Sequence, residues 1–120
     1  VFQIVDDILD ATATDEQLGK PAGHDLVEGV YTLPVLRTMA LGSADGDELA
    51  ALLGQPLDAD QQRRALTIVR SNAGVESAVE TAGEYVERAI SACANFADTE
   101  ATAALRDAPG ALLANVTIPV

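Results

Sequence analysis

Tryptophan is absent from this sequence, and two tyrosines and two phenylalanines are its only aromatic residues. So few large rings disfavour a sheet-based core. Alanine and leucine fill most of the 48% hydrophobic share instead, which suits closely packed helices. A single cysteine, Cys93, rules out an internal disulfide and reads as a small buried apolar side chain in a reducing compartment. Basic residues are scarce: seven Lys and Arg against nineteen Asp and Glu leave a net charge of −12. That balance excludes nucleic-acid and anionic-membrane binding, both of which need basic patches. An anionic substrate could bind only where cations are locally concentrated. No apolar run approaches the roughly 18 residues of a membrane span, and no signal-peptide pattern occurs. A cytoplasmic protein without a transmembrane segment is therefore expected.

What is present is concentrated at the beginning, in Val1-Phe2-Gln3-Ile4-Val5-Asp6-Asp7-Ile8-Leu9-Asp10. At about 100° per residue, Gln3, Asp6, Asp7 and Asp10 fall at i, i+3, i+4 and i+7 on one helical stripe. Every other position is apolar. This inverts the usual surface helix, so most of the helix should be buried and the acidic stripe should face a cavity. Three carboxylates on one face repel one another, and no Lys or Arg among the first nineteen residues neutralises them. Positive charge must come from elsewhere. Clustered carboxylate oxygens are hard ligands, suited to Mg²⁺ or Ca²⁺ and poor for Zn²⁺. The chain also opens inside a helical pattern with no Met and no cap, as expected of the C-terminal part of a longer protein.

After Asp10 the apolar rhythm stops. Ala11 to Gly29 carries the Gly, Pro, Thr and Asp residues of a long loop, the kind that tends to be functional. Within it, Lys20 is the only basic residue between the stripe and Arg37, placed to bind phosphate as a point charge. His24 reads as a turn residue, and Asp25 as an outer partner of the metal, beyond its direct ligands. Helices are expected from Thr32-Leu33-Pro34 to Gly42, from Glu48 to Leu53 after a polar loop at Ser43–Asp47, and from Asp58 to about Asn72. Asp58 and Gln61 have the spacing of a capping box. A longer helix follows Gly74, with Tyr85 in its core-facing set. Asp98 opens a last pair of short helices interrupted by Pro109. No strand-like alternation, linker or repeat occurs, and the pattern is all-α.

The order Phe2-Gln3-x-x-Asp6-Asp7-x-x-Asp10, Gly19-Lys20-Pro21, Asp25-Leu26, Glu28-Gly29, Thr32-Leu33-Pro34 resembles the second aspartate-rich region of the trans-isoprenyl (polyprenyl) diphosphate synthases. DDxxD alone also occurs in class I terpene cyclases; followed by the GKPxGxDL and TLP blocks it is specific. The resemblance implies an isoprenoid-synthase-type helical bundle, of which residues 1–120 would be the C-terminal fragment. It implies two aspartate-rich motifs facing each other across a cavity, with Mg²⁺ ions bridging them to an allylic diphosphate. Ionisation and attack by isopentenyl diphosphate then lengthen the chain by one five-carbon unit. Asp6 and Asp10 match metal ligands, with Asp7 supporting or ligating in the same motif. Lys20 matches the lysine that binds the allylic diphosphate, and Phe2 and Gln3 match positions beside that substrate. Asp25 matches a position beyond the direct ligands that reaches metal-bound water. The full-length family member is expected to be a homodimer.

Two features depart from the family pattern. Val30 stands where many members carry Lys after Glu-Gly, so one cation is missing. The first aspartate-rich motif should precede Val1, leaving half an active site here. A terpene cyclase fragment and a non-catalytic synthase-like subunit are the alternatives.

Overall fold

The computed structural model describes residues 1–117, which form eight α-helices and no strand. They are α1 (Phe2–Thr12), α2 (Asp15–Leu18), α3 (His24–Val27), α4 (Leu33–Ala40), α5 (Ala44–Leu52), α6 (Ala59–Ser71), α7 (Gly74–Ala92) and α8 (Glu100–Thr117). The expected all-α architecture is what the chain adopts. None of these helices is long and apolar enough to cross a membrane.

Side-chain caps start α2, α5 and α6. Asp58 accepts hydrogen bonds from the Asp60 and Gln61 backbone N–H groups, while Gln61 reaches back to the Asp58 N–H, closing the expected capping box. Replacing Asp58 with Ala should therefore lower stability by about 1 kcal/mol, read as a shift in the denaturant midpoint with the slope unchanged. Thr14 and Gln17 form a second capping box ahead of α2. Hence the expected loop from Ala11 to Gly29 contains two short helical turns. The Ser43 hydroxyl accepts the Gly46 N–H, and Asp45 and Asp47 sit in the first turn. That cap and the favourable dipole start α5 at Ala44, earlier than the apolar pattern suggests.

The core is built around α6. Ala65, Leu66, Ile68 and Val69 of this helix pack with Ala11, Leu26, Val35 and Leu49 from four other elements. Beyond it, α7 packs along α4, and α1 touches α4, α6, α7 and α8. With its radius of gyration of 16.4 Å, the chain is elongated against the roughly 14 Å of a compact domain this long. The elongation fits α8, of which no described side chain is fully buried. This helix runs continuously through Pro109 instead of dividing into two. The carbonyl that Pro109 leaves without a donor belongs to exposed Leu105, where water can serve it.

Three burial expectations need correction. Phe2 is 68% exposed, so α1 is not buried all round its apolar surface; Val5, Ile8 and Ala11 are its inward side. Tyr85 is 43% exposed and lies outside the core, its ring beneath the Arg88 guanidinium at 4.8 Å. Cys93 caps the C-terminus of α7, half-buried. Phe2, Tyr85 and Leu105 share an open apolar groove between α1, α7 and α8.

Candidate active site

Helical periodicity puts Gln3, Asp6, Asp7 and Asp10 on one face of α1, and the structure separates their environments. Gln3 and Asp6 are exposed, and Asp7 is half-buried. Gln3 Nε2 donates to Asp7 Oδ1 at 2.8 Å, the i to i+4 contact that the spacing allows. Asp10 is only 5% exposed, because the chain turns back over it. The stripe therefore begins open to solvent and ends beneath the loop that carries Lys20.

That loop is tied directly to Asp10. Its main-chain carbonyl accepts the Gly23 N–H at 2.8 Å, and its Oδ2 accepts the Asp25 N–H at 3.2 Å. Gly23 has φ +71°, and a Cβ there would come within 2.8 Å of the Leu66 side chain. The glycine of the GKPxGxDL block is thus needed for both its backbone conformation and its close approach to α6. Lys20 Nζ stands 3.6 Å from Asp10 Oδ1, an ion pair beyond hydrogen-bond reach, and the lysine side chain is 47% exposed. Asp10 Oδ1 is buried with no hydrogen-bond partner. An orphaned buried carboxylate oxygen calls for a further cation or donor.

The electrostatics agree. Burial pushes the Asp7 carboxyl above its ordinary value of 3.8; Asp6 and Asp10 push the same way, against the Gln3 hydrogen bond. Asp25 is also raised, by burial first and then by Asp10 and Asp7, against Lys20 and His24. For an aspartate, a raised folded-state pKa means that the charged form destabilises the fold above that pKa, and protonation relieves it. In metal-free protein, Asp7→Asn should accordingly raise the melting temperature at neutral pH. The gain should shrink as pH falls through the raised pKa toward 3.8.

The donor set is all oxygen and anionic, the chemistry of a Mg²⁺ or Ca²⁺ site. Among the described residues no three carboxylate, His or Cys groups converge closely enough to enclose an ion. The stripe with Asp10 Oδ1 fits a divalent cation on one side only. The expected cavity is not closed by this chain, since Gln3 and Asp6 face outward. His24 is exposed at the start of α3, as expected of a turn residue. Val30 is 53% exposed and adds no charge.

Three supporting side chains were not singled out by spacing. Asp15 Oδ1 accepts the Ala22 N–H at 2.8 Å, and Gln62 Nε2 donates to the Ala22 carbonyl at 3.3 Å. Arg70 donates from Nε to the Ala11 carbonyl at 2.8 Å and from Nη2 to the Ala13 carbonyl at 3.1 Å. Asp15 is close enough in sequence for a loop-closing role to be guessed. Gln62 and Arg70 are 40 and 57–59 residues from their partners, and no local signal points to them.

The chain is similar to several known proteins. The heptaprenyl diphosphate synthase component 2 of Geobacillus stearothermophilus is 37% identical over 106 residues, 88% of this chain and 32% of that protein. The nonaprenyl diphosphate synthase of Mycobacterium tuberculosis is 39% identical over 89 residues, 73% of this chain and 27% of that protein. Among solved structures, a geranylgeranyl pyrophosphate synthase from Corynebacterium glutamicum, complexed with calcium and isoprenyl diphosphate, superposes with a TM-score of 0.86. It is 32% identical and is matched over 96% of this chain and 36% of its own. The heptaprenyl diphosphate synthase of Staphylococcus aureus gives a TM-score of 0.84 at 28% identity, over 97% of this chain and 36% of its own. The chain thus spans about a third of the length of these relatives. The polyprenyl synthetase family profile matches residues 1–66, more than half the sequence and all of the acidic stripe and Lys20 loop. The chain belongs to the polyprenyl synthetase family.

Proposed function

We propose that this chain is the C-terminal part of a polyprenyl diphosphate synthase and forms one wall of its active site. The reaction is head-to-tail condensation of isopentenyl diphosphate with an allylic diphosphate, giving a linear polyprenyl diphosphate. The observation that carries this reading is the buried Asp10, with one oxygen that accepts no hydrogen bond and the Lys20 ammonium of the adjoining loop 3.6 Å from it.

Asp6 and Asp10 would hold Mg²⁺, with Asp7 in the same motif and Asp25 reaching its water. When bound, the ion would offset the repulsion along the stripe and stabilise the charge that develops on the departing diphosphate. Lys20 sits at the exposed rim of the stripe and would meet the allylic diphosphate as a point charge. Its ion pair with Asp10 keeps the ammonium beside the carboxylates until an anion arrives. Gln3, held by Asp7, and exposed Phe2 lie one turn toward the N-terminus, where they would flank the allylic group. Phe2 presents an apolar ring to the allylic cation and excludes water that would quench it. No nucleophile of this chain is needed, because the double bond of isopentenyl diphosphate supplies the electrons.

The test is to incubate the full-length protein containing this segment with Mg²⁺, isopentenyl diphosphate and allylic diphosphates of several lengths. Linear elongated diphosphates are expected. Cyclic hydrocarbons would indicate a terpene cyclase, and absence of both turnover and Mg²⁺-dependent diphosphate binding would indicate a non-catalytic subunit. The 120-residue chain alone is expected to be inactive.

A further inference from the structure

We propose that one face of α6, made by Gln62, Leu66 and Arg70, is a positioning element for the site: it fixes the separation between the Lys20 loop and the end of the acidic helix. The inference rests on Lys20 being a diphosphate ligand. The three residues occupy i, i+4 and i+8, so they lie along one side of the helix. Gln62 donates to the Ala22 carbonyl, two residues beyond Lys20. Leu66 is packed under Gly23 so closely that no side chain fits there. Arg70 donates to the Ala11 and Ala13 carbonyls, at the negative end of the helix that bears the three aspartates. Both structures that must meet at a diphosphate are therefore fastened to the same rigid helix. That helix also anchors the core through Ala65, Ile68 and Val69, so it has little freedom to shift.

The loop is also tied to Asp10 itself, by the Gly23 N–H at 2.8 Å and the Asp25 N–H at 3.2 Å, but the contact of Lys20 with the stripe is labile. Lys20 and Asp10 interact at 3.6 Å with the lysine half-exposed, and a metal or diphosphate arriving between them would remake that pair. The bonds from α6 go to backbone carbonyls and do not depend on what occupies the site. They allow Lys20 to exchange its partner from Asp10 to a phosphate without the loop drifting. Gln62 and Arg70 touch neither stripe carboxylates nor Lys20, so they act through the groups they hold.

The test is a double-mutant cycle in the full-length protein. Gln62→Leu should raise KM for the allylic diphosphate about tenfold, roughly one well-placed hydrogen bond, with kcat nearly unchanged and the melting temperature preserved. In a Lys20→Ala background the same substitution should raise KM no further, because the residue it positions is gone. Arg70→Lys should restore part of what Arg70→Met loses. Hydrogen exchange provides an independent reading: in Gln62→Leu the Ala22 and Gly23 amides should exchange about tenfold faster, with the core amides unchanged. Equal KM effects with and without Lys20 would overturn the positioning role, as would unchanged exchange at Ala22 and Gly23. If Lys20→Ala alone leaves KM unaltered, the substrate reading fails instead. Unaltered exchange in Gln62→Leu would then show whether the α6 tether fails with it.

Discussion

Asp10→Asn is expected to fold normally and to lose about three orders of magnitude in kcat in the full-length protein, the scale seen when a group that stabilises transition-state charge is removed. The amide has the carboxylate's shape, so its oxygen can still accept the Asp25 N–H that Asp10 Oδ2 accepts now. What disappears is the negative charge at Oδ1, the buried oxygen with no donor of its own. With its oxygen on the Asp25 N–H, the amide puts its NH2 group where Oδ1 was, which cannot ligate a cation and no longer draws Lys20 to its side. Asp6→Asn should have a smaller effect, since Asp6 is exposed and water can replace one of its contacts. Steady-state rates at saturating and limiting Mg²⁺ check the ranking. Near-native kcat in Asp10→Asn would show that the buried oxygen is structural only.

The second large effect concerns stability. Gly74→Ala should destabilise the fold by about 3 kcal/mol, the upper part of the range for overpacking a tight contact. Gly74 is the buried first residue of α7, where this helix crosses α4. A methyl group there would land on Thr38 Oγ1 and come within 2.7 Å of both the Pro34 carbonyl and the Thr38 N. Thr38 is fully buried and its hydroxyl is committed to the Pro34 carbonyl, so it cannot rotate aside without stranding that bond. Thr38→Ala in the same molecule should rescue only partly, because the two backbone atoms remain. Gly83→Ala is the contrast: the nearest atom to its new methyl is Leu113 Cδ2 at 4.0 Å, and removing a mid-helix glycine should stabilise by roughly 0.5–1 kcal/mol. Urea midpoints of the three variants measure all of this.

The difference between those glycines shows where sequence reading stops. Gly74 reads as a break before the helix, yet both glycines belong to α7, and only the packing of α4 says which can accept a methyl group. Signals carried by local spacing were legible: the Asp58–Gln61 capping box and the stripe that puts Gln3, Asp6, Asp7 and Asp10 on one face of α1. The loop glycines permit close backbone approach, and Gly23 makes one; that its neighbour is Leu66, 43 positions later, only the fold reveals. Periodicity identified an apolar side for α1 and α7 without saying what covers it, so Phe2 and Tyr85 were placed inward although both line an open groove. Asp10 stood out as one carboxylate in a row. That it alone is buried depends on the Lys20 loop folding back over it, a contact between distant backbone groups that no spacing encodes.

The most direct test is a crystal structure of the full-length protein with Mg²⁺ and inorganic pyrophosphate. An ion should lie about 2.1 Å from Asp10 Oδ1, with Lys20 Nζ withdrawn from Asp10 and on a pyrophosphate oxygen. Pyrophosphate and Mg²⁺ bound elsewhere, with Asp10 Oδ1 still facing Lys20 alone, would contradict the assignment of this helix as a metal-bearing wall.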